Sequence, residues 1–115
     1  VRRGDIVWAE LDPVVGSEAD KRRPVVVVSN DGANRAATRF GRGVVTVVPV
    51  TSNTANVRPF QVLLPARRCG MRRTGKAQAE QVRSIEFGRI QGPAGRVPPE
   101  LLREIDDALR LQLAL

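Results

Sequence analysis

The sequence predicts a mainly β, α+β fold: a small, mostly antiparallel barrel of about five to seven strands with a C-terminal helix. Three observations predict it. Val25-Val26-Val27-Val28 and Val44-Val45-Thr46-Val47-Val48-Pro49-Val50 are β-branched runs, which suit strands buried on both faces. Turn chemistry interrupts the chain often, at Asp12-Pro13, Ser29-Asn30-Asp31-Gly32, Gly41-Arg42-Gly43 and Gln91-Gly92-Pro93. A sustained helical stripe occurs at the end of the chain. A length of 115 residues predicts one domain covering 1–115.

The elements follow in order. Asp5-Ile6-Val7-Trp8-Ala9-Glu10 is a short β-leaning segment that Asp12-Pro13 closes. Val14 to Arg23 is a polar loop around Gly16. Pro24, at a position where strands tolerate proline, opens the first valine strand. Ser29 to Gly32 ends it, and Asn34 to Thr38 predicts a short helical turn. Val44 to Val50 is the second strand, with the hydroxyl-rich loop Thr51-Ser52-Asn53-Thr54 at its end. Phe60 to Leu64 alternates weakly and stops at Pro65. Ala66 to Gly75 reads as a basic loop. Ala77 to Ile85 reads as a strand with a short helix near Ser84 to Phe87, and Gln91 to Arg96 as a turn-rich linker. Pro98-Pro99-Glu100 starts a helix, with proline in the first turn and an acid near the positive dipole end. Leu102, Ile105, Leu109 and Leu113 recur at helical spacing, Leu101 and Ala108 widen the stripe, and Asp106 and Arg110 form an i,i+4 pair.

The chain has 19 Lys or Arg, 12 Asp or Glu, a formal charge of +7, no His and one Cys. Without histidine there is no Ser-His-Asp or Cys-His triad and no imidazole acid/base pair. One cysteine makes neither an intrachain disulfide nor a thiolate zinc site. Glu18, Asp20 and Asp31 lack metal-ligand spacing, so no metal and no cofactor are predicted. Catalysis has to use Arg, Lys, carboxylates, hydroxyls or backbone groups. No apolar run approaches the ~20 residues of a membrane helix and no signal core follows the N-terminus, so the expected location is cytoplasmic, without membrane contact. The chain starts at Val1, and a start residue or short tail is expected to precede it.

The charge is segregated. From Gly32 to Ala79 there are nine basic residues and no acid, whereas the rest of the chain is net −2. GC-rich coding accounts for 17 Arg against two Lys, but not for the missing acids. A surface of this kind suits a polyanion, either nucleic acid or an acidic protein. Four aromatics, Trp8, Phe40, Phe60 and Phe87, are too few for a base-stacking platform of the RRM or cold-shock kind.

Three loops hold candidate chemistry. Arg23, beside a rigid strand start, has a planar fork that matches phosphate, although spacing alone favours a solvated edge for one arginine among many. Thr51 and Ser52 sit at the end of a buried strand and can donate to a phosphate oxygen, though turn capping is the commoner role there. In Ala79-Glu80-Gln81-Val82-Arg83-Ser84, Gln81 can read a base edge and Arg83 a phosphate; an ordinary polar strand end is an equal reading. Cys69 lies among Arg67, Arg68, Arg72 and Arg73, which would lower its pKa; with no base in reach it reads as a bystander.

Taken together these segments resemble the MazF/PemK-like toxins. The match runs through Gly4-Asp5-Ile6-Val7-Trp8, Leu11-Asp12-Pro13, Gly16-Ser17-Glu18, Arg23-Pro24-Val25-Val26-Val27-Val28-Ser29-Asn30, Val48-Pro49-Val50-Thr51-Ser52, Pro59-Phe60-Gln61-Val62, Ala79-Glu80-Gln81-Val82-Arg83-Ser84-Ile85 and Gly95-Arg96-Val97. It covers nearly the whole chain in order. The basic stretch within Ala66 to Lys76 departs from it and bears on the cleavage sequence.

The resemblance implies an SH3-like barrel of the CcdB/Kid kind, a homodimer, and the toxin of a type II toxin–antitoxin pair. Such toxins cut single-stranded RNA (mRNA, tRNA or rRNA) at specific sequences without metal or ribosome, leaving 2′,3′-cyclic phosphate and 5′-hydroxyl ends and stopping translation and growth. It implies Arg23, Thr51 and Glu18 as catalytic residues. Ser17, Ser29, Asn30, Ser52, Asn53, Gln81, Arg83, Arg67 and Arg68 are the expected RNA-binding set. It further implies an acidic antitoxin as partner, with operator DNA contacted only through the antitoxin complex. A gyrase poison of the CcdB type and a non-cutting nucleic-acid adaptor are the alternatives on the same barrel.

Overall fold

The computed structural model describes residues 1–11 and 22–115. Its seven strands are β1 (Asp5–Glu10), β2 (Arg22–Val27), β3 (Val44–Thr51), β4 (Gln61–Leu64), β5 (Gly75–Gln78), β6 (Arg83–Glu86) and β7 (Ile90–Arg96). All pair antiparallel in one sheet ordered β4-β5-β3-β2-β1-β7, with β6 also on β3. Three helices complete the order: α1 (Asp31–Phe40), α2 (Ala66–Cys69) and α3 (Pro99–Leu113). An antiparallel sheet with a C-terminal helix is the expected architecture.

The valine runs explain why this sheet has two cores. Alternate residues of a strand point to opposite faces. Val26, Val48 and Val50 join Ile6, Leu64, Val97, Leu101 and Ile105 on one side. Val25, Val27, Val45 and Val47 join Val7, Ala9, Ala37 and Ile85 on the other. Each fully buried valine is worth ~1.5–3 kcal/mol, so β2 and β3 anchor everything attached to their ends. α3 packs on β4 and α1 on β3.

Several local expectations are corrected. α1 is a ten-residue helix rather than a short turn. Asn30 caps it, accepting from the Ala33 N–H at 2.9 Å, and Gly41 ends it in the left-handed conformation. Its polar composition hid it, since Asn34 and Ala37 are its buried residues. Residues Gln91 to Arg96 form most of β7, not a linker, and the β1–β7 register shifts twice along it. Ser84 to Glu86 is strand, and a single 3-10 turn, Phe87–Arg89, follows where a helix was expected. β2 begins at Arg22, so Arg23 stands within a strand and Pro24 is its third residue. The basic loop holds the one-turn helix α2, ended by Gly70 in the left-handed conformation. In α3, Asp106 pairs with Arg3 at 2.6 Å, not with Arg110, which bonds Asp107 instead. The stripe stays buried through Leu101, Ile105 and Ala108, but Leu113 is exposed.

Candidate active site

The β2–β3 register organises the site. Val25 lies opposite Pro49, Val26 opposite Val48 and Val27 opposite Val47. Arg23 and Thr51 each lie two residues beyond the Val25–Pro49 pair, and both line one groove. On their outer flanks Arg23 pairs with Ala9 of β1 and Thr51 with Lys76 of β5. Thr51 and Lys76 therefore stand abreast on β3 and β5, and Arg23 sits on β2, next to β3 in sheet order, all rooted in the two valine cores.

A groove of about 880 Å³ opens here, lined by Trp8, Arg22, Arg23, Thr51, Ser52, Arg72 and Arg73, with the stretch from Gly70 to Gly75 and Pro93 along its edge. A second cavity of about 270 Å³ is lined by Leu11, Arg23, Pro49, Gln78, Gln81 and Arg83. Arg23 borders both. Among the described residues neither lining includes an acid, so the described walls offer an anion only cationic and neutral groups. The Arg22 guanidinium lies 5.0 Å from the centre of the Trp8 ring, a cation–π contact that sets a planar surface into the groove.

Thr51 is placed by its own loop. Its Oγ1 accepts from the Asn53 N–H at 3.2 Å, and Asn53 Oδ1 accepts from the Ala55 N–H at 3.2 Å. Accepting that bond does not use the hydroxyl proton, which among the described residues has no acceptor and can donate to an incoming oxygen. Asn53 thus serves the loop rather than lining either cavity. Gln61 Nε2 donates to Glu80 Oε2 at 2.6 Å, tying β4 to the 3-10 turn Ala79–Gln81 that carries Gln81.

The structure brings together Arg23, Thr51, Ser52, Gln81 and Arg83 of the expected residues. It leaves Ser29 and Asn30 elsewhere, beyond the far end of β2, six and seven residues from Arg23. At ~3.3 Å per extended residue that is about 20 Å. Both are occupied there. The Ser29 hydroxyl donates to Asn34 Oδ1 and accepts from the Thr46 N–H, while Asn30 caps α1. Arg67 and Arg68 lie on α2 outside the groove, and Arg68 forms an ion pair with Glu100. The Glu100 carboxyl is held below the usual range, first by its own backbone N–H and then by Arg68. Ser17 and Glu18 lie outside the described residues. Cys69 is 2% exposed, and burial pushes its thiol pKa up against the smaller opposing effect of Arg68. That reverses the lowering expected from the arginine-rich sequence around it.

Reading the sequence missed Trp8, Arg22, Arg72, Arg73 and Lys76. A signal for the arginines existed: Pro65 before Ala66 and Gly70 after Cys69 are helix-start and helix-stop residues. The turn they enclose points Arg68 toward α3, and the reversal at Gly70 sends Arg72 and Arg73 to the groove. Among the described residues no three His, Cys, Asp or Glu cluster as metal ligands, and no helix is long and apolar enough to cross a membrane.

Comparison with known proteins places these features in a family. Residues 2–113 match the model of the PemK-like, MazF-like toxin of type II toxin–antitoxin systems. The chain is 58% identical over its full length to endoribonuclease MazF9 of Mycobacterium tuberculosis, covering 98% of that protein. It is 35% identical, again over its full length, to endoribonuclease EndoA of Bacillus subtilis, covering 96% of it. Among solved structures, the MazE-MazF complex (Form-II) of Deinococcus radiodurans superposes with a TM-score of 0.77 at 29% identity, covering 100% of this chain and 96% of that one.

Proposed function

This chain belongs to the PemK-like, MazF-like toxin family of type II toxin–antitoxin systems, and from that premise we propose that its groove cleaves single-stranded RNA without a metal. The observation that carries the reading is a single groove lined by both Arg23 and Thr51, with no acid among its described lining. An arginine fork and a threonine hydroxyl on adjacent strands suit one phosphodiester. The RNA 2′-hydroxyl attacks the adjacent phosphorus in line, the bond to the 5′-oxygen breaks, and the products are a 2′,3′-cyclic phosphate and a 5′-hydroxyl. Negative charge grows on the non-bridging oxygens, where Arg23 and Thr51 donate; removing one aimed donor of this kind costs about 10²–10³ in rate. Arg23, or water it orients, protonates the departing 5′-oxygen. Glu18 is the proposed base for the 2′-hydroxyl, although a basic field lowers a carboxylate's pKa and weakens it as one.

Gln81 and Arg83 border the second cavity with Arg23 and are proposed to hold the neighbouring nucleotide. Trp8 with Arg22 offers a stacking surface on the other side. The proposed setting is the cytoplasm, where the toxin acts as a homodimer and an acidic antitoxin covers the groove until it is removed. The related Deinococcus complex of MazE with MazF supports that partnership.

A digest of RNA in excess EDTA, with end-group analysis, tests the reading. The parent protein is expected to yield cyclic phosphate and 5′-hydroxyl ends, and Arg23→Ala and Thr51→Ala to yield none over the time in which the parent digests the RNA, while remaining folded. Cleavage by Arg23→Ala at the parent rate would refute it. Intact RNA beside trapped gyrase–DNA complexes would point to the poison instead.

A further inference from the structure

Lys76 is the one charged residue, among those described, that is buried. It is 7% exposed, and its Nζ donates to the Ala55 carbonyl at 2.8 Å. No carboxylate among the described residues pairs with it. Burying an ammonium without a counter-ion is costly, and an apolar side chain of similar size would fill the space at lower cost. The charge therefore has a task other than packing, and its surroundings show which.

Lys76 is the direct cross-strand partner of Thr51. Side chains so paired share a face of the sheet, with Cβ atoms ~5 Å apart. From there Lys76 reaches the segment that leaves Thr51. Three successive bonds describe that segment: Asn53 N–H to Thr51 Oγ1, Ala55 N–H to Asn53 Oδ1, and Lys76 Nζ to the Ala55 carbonyl. The next residue, Asn56, has φ 55, a left-handed conformation that non-glycine residues hold when their surroundings impose it. The first two bonds are local and exposed. The third is the long-range one, and it ties the loop to β5.

We propose that Lys76 is a positioning residue for cleavage: through Ala55 it holds the loop after Thr51, and so the Thr51 hydroxyl, at the groove that Arg23 also lines. This rests on the reading of the groove as an RNA-cleaving site. It does not make Lys76 a catalytic residue, since it lines neither cavity. The same sheet thus carries the phosphate donors and, beside Thr51, the cation that fixes it.

The test uses the full chain and a short RNA containing a cleavage site mapped in the EDTA digest. Parent, Lys76→Met and Lys76→Arg are compared by single-turnover rate, RNA binding affinity and amide exchange at Asn53 and Ala55. For Lys76→Met the rate is expected to fall by about 10- to 100-fold, the cost of misplacing a reacting group. Affinity is expected to hold and exchange at both amides to quicken. Lys76→Arg, which keeps a cationic donor on a long stem, is expected to recover most of the rate and the protection. An unchanged rate in folded Lys76→Met overturns the proposal, as does a loss accounted for by weaker binding. If Lys76→Met does not fold, Lys76→Arg decides: protected amides with a slow rate overturn the proposal, and protected amides with a retained rate support it. Failure of the parent to cut RNA refutes the functional reading instead, while the amide exchange still reports on the loop.

Discussion

A thiol surrounded in sequence by four arginines is ordinarily a reactive one, and Cys69 shows how little sequence neighbours decide. The side chain turns into the core with Leu64, Val97 and Leu101, and burial raises its pKa ahead of any effect of Arg68. The sign of the linkage follows. Above the ordinary thiol pKa of ~8.5 the unfolded chain loses this proton while the folded chain keeps it, so Cys69 lowers stability as pH rises through that region. Iodoacetamide at mildly alkaline pH is expected to leave Cys69 unmodified in the native protein and to alkylate it fully in denaturant, read by intact mass. Rapid native alkylation would place the thiol outside the core. The placement of Arg23 and Thr51 at one groove was legible at this scale, because each adjoins a valine run. Ser29 and Asn30 stand at the opposite end of β2 from Arg23, where Ser29 bonds Asn34 and Thr46 and Asn30 caps α1. Lys76 left no trace in the sequence, since burial of a lysine depends on a loop folding over it.

At the scale of elements, the fit of β7 against α2 determines where the basic loop goes. A Cβ on Gly95 would sit 2.3 Å from the Cys69 carbonyl oxygen and 3.0 Å from Met71 Cγ, at a φ of +158. Backbone must move to make room. Gly95→Ala is therefore expected to destabilise the protein by about 1–3 kcal/mol, the usual range for overpacking. Gly88→Ala, where nothing lies within 4 Å of the added atom, is expected to be near neutral, and urea denaturation of the two variants provides the comparison. Equal stability would mean that α2 and β7 are not in contact. This is also why β7 was taken for a linker. Gly92, Pro93 and Gly95 are turn residues by propensity, yet here glycine is what lets a strand pass beneath a carbonyl. The valine strands and α3 were legible because their burial patterns are self-contained, whereas α1 was shortened because its hydrogen-bonded cap and buried Asn34 replace an apolar stripe.

At the scale of the whole molecule, the acid-free span from Gly32 to Ala79 does not act as one surface. The fold divides its nine basic residues. Arg72 and Arg73 enter the groove, Lys76 is buried beside Thr51, Arg68 is held by Glu100, and Arg39 lies over Phe40 on α1. The groove in turn recruits Arg22 and Arg23 from outside the span. Salt dependence measures this division. Each phosphate neutralised on a single strand contributes about −0.7 to the slope of log affinity against log salt. Arg72→Ala with Arg73→Ala is therefore expected to flatten the slope for a non-cleavable RNA by roughly 1.4, with binding weakened most at low salt. Arg67→Ala, with the same formal charge change per residue but outside the groove, is expected to leave the slope nearly unaltered. The sole tryptophan makes the titration direct. Trp8 lines the same groove beneath Arg22, so RNA entering there is expected to change its fluorescence. Equal slope losses from Arg67→Ala and from either groove arginine would mean that RNA responds to the net charge of the basic face and not to the groove.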